Sequence, residues 1–322
     1  MTLLNSFAPY FELIRSTFRN RRTNPNSLLS QEYQDKFKLL TCSDIPSTET
    51  IGVIAGNGPF PFLFSQGAKA LGHNVFAVCH ENETSIEYPD TIENSIWIKV
   101  GQLGSIIDFF KKNKVKYVAM AGGISRVKHF GDVKLDARGA ALMLRLRSTK
   151  DDVIMRGIAD ELLKEGIVVI PCTLFMQQAI TPIGNLTKSI PTVDERNDIE
   201  VGISAIKSMS SQDIGQLVVV REGTIVAVEA IEGTNSAIIR GGELGGKGSV
   251  VVKFAKPTQD MRFDVPTVGL KTIELLKQHK ISVLALEAGR TIIIEREKCI
   301  EMANDAGIAI VGIEPLVNEI LG

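Results

Sequence analysis

From residue 51 onward, short and almost continuous apolar runs alternate with stretches in which apolar residues recur every three or four positions. The first pattern fits strands buried on both faces and the second fits amphipathic helices. Ile51 to Ala55, Asn74 to Cys79, Ser95 to Val100, Tyr117 to Ala121 and Ile167 to Pro171 read as strands. Between them lie helical periods from Pro59 or Pro61 to Leu71, from Gly104 to Asn113, through Leu142, Leu144 and Leu146 to Asp152, and from Val153 to Glu165. Strands that alternate with helices imply βαβ units and a parallel sheet. The expected fold class is therefore α/β, with a Rossmann-like parallel-sheet domain over residues 49–180.

The rhythm changes after Thr181 to Arg196, a stretch rich in Pro, Thr and Asn that reads as a linker, and residues 181–322 form the expected second domain. A helix from Asp198 to Met209 leads into Gln216 to Glu222 and Thr224 to Ala230, two strand runs that Gly223 folds into a hairpin. Gly241 to Gly248 holds five glycines in eight positions and reads as loop. Strands follow at Ser249 to Ala255, Val283 to Glu287, Thr291 to Ile294 and Ile308 to Gly312, with helices at Gly269 to Lys280 and Arg296 to Ala306. A hairpin beside helix-linked strands makes this a second α/β domain with a mixed sheet.

Residues 1–48 do not share the pattern. Phe7, Phe11, Ile14 and Phe18 recur at helical spacing beside Arg15, Arg19, Arg21 and Arg22, a basic amphipathic helix. Such a helix suits an anionic membrane surface, an organelle-targeting role, or packing onto the body of the protein. Composition narrows the rest. With 36 basic and 37 acidic residues the formal charge is -1, so no overall field recruits nucleic acid. The four cysteines are far apart without CxxC pairing and read as reduced and intracellular, which together with the absence of an apolar run long enough to span a bilayer makes a cytoplasmic protein the expectation.

Chemistry concentrates in four places. Gly56-Asn57-Gly58 follows the first strand and precedes a helix, where backbone N–H groups can cradle phosphate, although Pro61 occupies the third glycine position of a dinucleotide fingerprint. A plain tight turn is the competing reading. Gly122-Gly123-Ile124-Ser125-Arg126 repeats the arrangement after the fourth strand, with a guanidinium that can fork onto phosphate. Glu229 and Glu232 interrupt an apolar run and need a partner, such as a metal, a ligand or an arginine at 221, 240 or 290. The richest stretch is Lys253 to Gly269, which contains Lys256, Gln259, Asp260, Arg262 and Asp264 and is stiffened by Pro257 and Pro266. Cations and carboxylates in one loop suit a hard cation, phosphate oxygens and attack of a metal-activated water on phosphorus. No zinc spacing, nucleophile elbow or P-loop occurs.

Several of these segments, in order, resemble the LpxI-type UDP-2,3-diacylglucosamine pyrophosphatases: Ile54-Ala55-Gly56-Asn57-Gly58, Gly101-Gln102-Leu103-Gly104, Ala121-Gly122-Gly123-Ile124-Ser125, Asp213-Ile214-Gly215-Gln216, Glu229-Ala230-Ile231-Glu232-Gly233-Thr234, Lys256 to Gly269 and Glu287-Ala288-Gly289-Arg290. The resemblance covers nearly everything after residue 50. It implies Mg²⁺-dependent (or Mn²⁺-dependent) hydrolysis of UDP-2,3-diacylglucosamine to 2,3-diacylglucosamine 1-phosphate and UMP in lipid A biosynthesis, with the lipid-linked sugar nucleotide between two domains. It places the family's essential aspartate on Asp264, with Lys256 and Arg262 as phosphate clamps. Asp264, Asp260, Glu229 and Glu232 become the expected metal ligands, and Gly56, Asn57, Gly58, Gly122, Gly123, Ser125, Arg126, Gln216 and Thr267 the expected substrate contacts. Peripheral contact with the inner membrane and a homodimer are further expectations. Asn235 stands where the family usually has aspartate, and residues 1–48 have no counterpart. Two competitors remain on the residues themselves: a nicotinamide-dependent oxidoreductase using the Gly56 turn, and a non-catalytic carrier of nucleotide sugar or lipid.

Overall fold

The computed structural model of the protein describes residues 41–125, 133–147, 150–210, 214–256 and 259–314. The basic aromatic helix expected at residues 7–22, and also Arg126, Asp213, Pro257 and Thr258, lie outside the described residues.

The first sheet has five strands in the order β3-β2-β1-β4-β5, formed by β1 (Ile51–Ala55), β2 (Val75–His80), β3 (Asn94–Ile98), β4 (Tyr117–Ala121) and β5 (Val168–Ile170). Every pairing is parallel. Alternate side chains along a strand face opposite ways, so one face buries Ile51, Val53, Ala55, Ala119 and Ala121 while the other buries Val118, Met120 and Val169. Helix α1 (Phe60–Ala70) covers the first face through Phe64 and Ala68. Three helices supply residues to the other: α2 (Leu103–Lys112), α3 (Ala137–Leu146) and α4 (Asp151–Lys164). The described part of the N-terminal segment packs here too, because Ile45 belongs to the first core and Cys42 Sγ donates to the Leu174 carbonyl at 2.7 Å.

The second sheet has six strands in the order β6-β13-β11-β9-β7-β8. They are β6 (Gly184–Asn185), β7 (Leu217–Arg221), β8 (Thr224–Val228), β9 (Val250–Lys253), β11 (Val283–Glu287) and β13 (Ala309–Ile313). The central strands β9, β11 and β13 run parallel, while β6, β7 and β8 are antiparallel to their neighbours, which makes the sheet mixed. Helix α5 (Val193–Ser210) covers one face. The other lies under α6 (Thr234–Gly245), α7 (Leu270–Gln278) and α8 (Arg296–Asp305). A ribbon of β10 (Thr267–Val268) and β12 (Ile292–Ile293) links the two halves: Ile292 is buried in a core of the first sheet, and Val268 and Ile293 in a core of the second.

Three expectations are corrected. The stretch 181–196 carries β6 and the start of α5 rather than only a linker. The missed signal is a capping box, in which Thr192 Oγ1 accepts from the Glu195 N–H and the Glu195 carboxylate accepts from the Thr192 N–H at 2.8 Å. The glycine-rich stretch at 241 is helical through Gly245. A Cβ on Gly241 would lie 2.4 Å from Val219, and one on Gly242 would lie 2.4 Å from His279, so these glycines let α6 approach the sheet and α7 closely. Finally, β8 ends at Val228, which leaves Glu229 and Glu232 in the turn that follows rather than within a strand.

Candidate active site at two carboxyl edges

The loop that leaves β9 begins at the carboxyl edge of the parallel strands, where open α/β sheets bind ligands. It returns as a turn in which Phe263 and Asp264 N–H groups donate to the Asp260 carbonyl. The turn is fastened to the first sheet: the Cys172 N–H, just beyond β5, donates to the Arg262 carbonyl at 3.1 Å, and Phe263 packs against that sheet's core. Asp260 and Arg262 form a buried fork with N–O distances of 2.9 and 2.6 Å, and Arg156 of α4 stands 3.7 Å from the same carboxylate. Burial opposes ionisation of Asp260, but the Arg262 hydrogen bonds and charge outweigh it and hold the carboxyl below the ordinary aspartate range. Both residues are thus committed to bracing the loop.

Asp264 has a different environment. It is open to solvent on one side. Protein crowding on the others raises its carboxyl above the ordinary value, against a hydrogen bond from Gln259 and the charges of Lys256 and Lys253, with Asp151 adding to the rise. Gln259 Nε2 donates to Asp264 Oδ2 at 2.6 Å. Lys256 follows two residues after Phe254, and its carbonyl accepts from Arg290 Nη2 at 3.3 Å. Arg290 in turn pairs with buried Glu287 at 3.1 Å, which also accepts from the Ala255 N–H at 2.8 Å. Burial nevertheless raises the Glu287 carboxyl, with Arg290 and the Ala255 N–H opposing the rise.

Beside this loop, Lys253 is 4% exposed and donates to Thr234 Oγ1 at 2.7 Å. The Thr234 hydroxyl donates in turn to Glu229 at 2.7 Å, and the Gln216 N–H donates to the other Glu229 oxygen at 3.2 Å. The partner of Glu229 is therefore Lys253, 3.8 Å away, which was not among the arginines considered from sequence. Burial lowers the Lys253 pKa, against the charges of Glu229 and Asp264. Glu232 pairs with Arg240 at 2.5 Å on the surface. Thr267 sits in β10 and donates to the Val265 carbonyl.

On the first sheet, β1 and β4 are neighbours whose outer partners were added in opposite directions, so the Gly56 and Gly122 turns meet at the topological switch point. They bond to each other: the Gly56 N–H donates to the Ala121 carbonyl and the Asn57 N–H to the Gly123 carbonyl, both at 2.8 Å. Those two N–H groups are spent within the fold. A Cβ on Gly56 would fall 2.3 Å from the Gly123 carbonyl oxygen, and one on Gly122, whose φ is +90°, would fall 2.3 Å from that of Asn57. Gly58 faces open space. Sequence reading missed Glu83, a buried carboxylate that accepts from Asn57 Nδ2 at 2.8 Å and from the Ser125 N–H and hydroxyl at 3.1 Å. Its signal was weak, because Glu81-Asn82-Glu83-Thr84 looks like a solvated turn.

The expected four-carboxylate metal set is not assembled. Among the described residues no three or more His, Cys, Asp or Glu side chains are gathered to hold a metal ion. Asp260 is forked to Arg262, Glu229 is bonded on both oxygens and Glu232 lies on Arg240, leaving Asp264 as the member of the four that faces solvent and makes no ion pair at contact distance among the described residues. One open carboxylate fits a hard divalent cation of the kind that takes one or two protein carboxylates and keeps several waters.

Fold and site define a two-sheet α/β protein whose ionisable cluster joins the carboxyl edges of both sheets. Residues 50–179 match the model of the LpxI N-terminal domain and residues 182–311 that of the LpxI C-terminal domain. The chain is also 31% identical over 276 residues to the UDP-2,3-diacylglucosamine pyrophosphatase LpxI of Caulobacter vibrioides, a match covering 82% of this chain and 98% of the relative. The chain belongs to the LpxI family. Similar solved structures include the Rhizobium etli pyruvate carboxylase, with TM-score 0.25 and 12% identity over 40% of this chain and 12% of that one. Another is the Staphylococcus aureus N5-carboxyaminoimidazole synthetase, with TM-score 0.22 and 15% identity over 54% of this chain and 38% of that one. Likeness at that level carries no functional argument.

Proposed function

We propose that this chain hydrolyses the pyrophosphate bond of UDP-2,3-diacylglucosamine, releasing 2,3-diacylglucosamine 1-phosphate and UMP in the biosynthesis of lipid A. It is a hydrolase of a phosphoanhydride bond. The observation that carries this reading is the match to the Caulobacter LpxI, which runs through 98% of that relative and through both sheets of this protein.

Asp264 is the reactive carboxylate in this account. Its exposed side accepts a proton from, or orients, the attacking water, while Gln259 holds the other oxygen. Lys256 and Lys253 place positive charge beside it, where negative charge builds on the phosphoryl oxygens. Arg262 acts from behind, bracing the loop through Asp260, rather than as a clamp on phosphate. A divalent cation bound by Asp264 and the substrate phosphates would supply Lewis-acid polarisation there. Asn57, Gly58 and Ser125 offer contacts to the substrate at the first sheet, and Gly56, Gly122 and Gly123 keep the turns close enough to present them. The two domains meet near residue 181 in this reading. No helix among the described residues is long and apolar enough to cross a membrane, and the lipid substrate would be met peripherally, at the cytoplasmic face of the inner membrane.

The test is direct incubation of purified protein with UDP-2,3-diacylglucosamine. The expected products are UMP and the sugar 1-phosphate, formed with added Mg²⁺ and lost on chelation. Release of UDP instead would overturn the assignment of the bond, and undiminished turnover in excess chelator would remove the cation from the account.

A further inference from the structure

The side-chain amide of Gln259 is held at both its oxygen and its nitrogen within the candidate site. Gln259 is 6% exposed. Its Oε1 accepts from the Lys256 N–H at 2.9 Å, its own N–H donates to the Lys256 carbonyl at 3.0 Å, and its Nε2 donates to Asp264 Oδ2 at 2.6 Å. The first bond holds the side-chain amide against the backbone at the start of the loop, and the second, made by the Gln259 main-chain N–H, closes the turn that carries it. The third transmits that fixed position to the carboxylate at its end. A neutral amide suits this task. It cannot lose its donor by titration, and it brings no second negative charge to a carboxylate already beside Asp151.

We infer that Gln259 is a positioning residue for the hydrolytic reaction: anchored on the Lys256 backbone, it holds Asp264 Oδ2 and so turns the remaining carboxylate oxygen toward the reacting water. The inference rests on the hydrolase reading above. Holding a reactive group within a fraction of an ångström of its productive position contributes to the chemical step more than to ground-state binding. Gln259 therefore acts on kcat and leaves KM nearly alone. A side chain that only stabilised the loop would lower the unfolding temperature and leave kcat per folded molecule unchanged.

Two substitutions separate these cases. Gln259→Met removes the amide at similar volume, and Gln259→Asn keeps it one methylene short. With UDP-2,3-diacylglucosamine and Mg²⁺, the Met variant is expected to lose about ten- to a hundredfold in kcat with KM within about twofold, and the Asn variant to fall between it and wild type. A Met variant with kcat within about twofold of wild type overturns the inference, as does a loss confined to KM. A second measurement needs no variant at Gln259. In the NMR spectrum of the wild-type protein the Gln259 side-chain amide proton that faces Asp264 should resonate downfield, and Asp264→Ala should move it upfield. An unchanged resonance shows that the bond is absent and overturns the inference. Wild-type protein that hydrolyses nothing would refute the hydrolase reading instead, and the NMR comparison would still report on the bond.

Discussion

Asp260 and Asp264 stand one helical turn apart in sequence and have opposite chemistry. Asp260 is locked to Arg262 and its carboxyl lies below the ordinary range, whereas Asp264 is crowded, open on one side and raised. A carboxyl whose folded pKa is lowered adds stability that is complete above its ordinary value near 3.8 and disappears as pH falls through the depressed value. Asp260→Asn is accordingly expected to destabilise the protein by roughly 3–5 kcal/mol at pH 7, because it strands Arg262 in the interior. In thermal unfolding followed from pH 7 to pH 3, the gap between wild type and variant should narrow below about pH 4. A gap independent of pH would mean that the fork carries no ionic stabilisation. Sequence alone could not rank the two aspartates on physical grounds. Both are acids in one Pro-bracketed loop, and only the resemblance singled out Asp264. Which acid meets the arginine is decided by the turn at 260–264, which folds Arg262 back onto Asp260.

The parallel strands were legible because their side chains are buried on both faces, so β1, β4 and most of β11 appear as short apolar runs that lead into glycine turns at 56, 122 and 289. The paired glycine turns were legible as turns, but their purpose was not. They fit each other, and a phosphate cradle built from the Gly56 and Asn57 N–H groups would have to compete with bonds already made. Gly122→Ala should therefore be severe. It combines a φ of +90° with a Cβ 2.3 Å from the Asn57 carbonyl oxygen, and the backbone strain is worth about 1–3 kcal/mol before the clash is counted. Chemical denaturation would read this as a lower midpoint at unchanged slope. A variant as stable as wild type would show that the two turns are not packed as described. Helix α6 escaped prediction for the converse reason: Gly241 and Gly242 looked like loop residues, yet they are spacers whose partners, Val219 and His279, are distant in sequence.

At the scale of the molecule, the loop of Gln259 to Asp264 belongs to the second sheet by sequence and to the first by its contacts. It starts at the end of β9, bonds to Cys172 beyond β5, faces Arg156 of α4 and returns through the β10–β12 ribbon that is shared between the cores. No periodicity reports such a crossing, and for that reason the sequence suggested two halves without showing how the reactive loop spans them. The crossing holds the loop that carries Asp264 at the carboxyl ends of both β9 and β5, through the Arg262 carbonyl and Phe263. The account stands or falls on that carboxylate. Asp264→Ala protein with wild-type circular dichroism and unfolding temperature should release UMP from UDP-2,3-diacylglucosamine at least about a hundredfold more slowly than wild type, and release at the wild-type rate would contradict it.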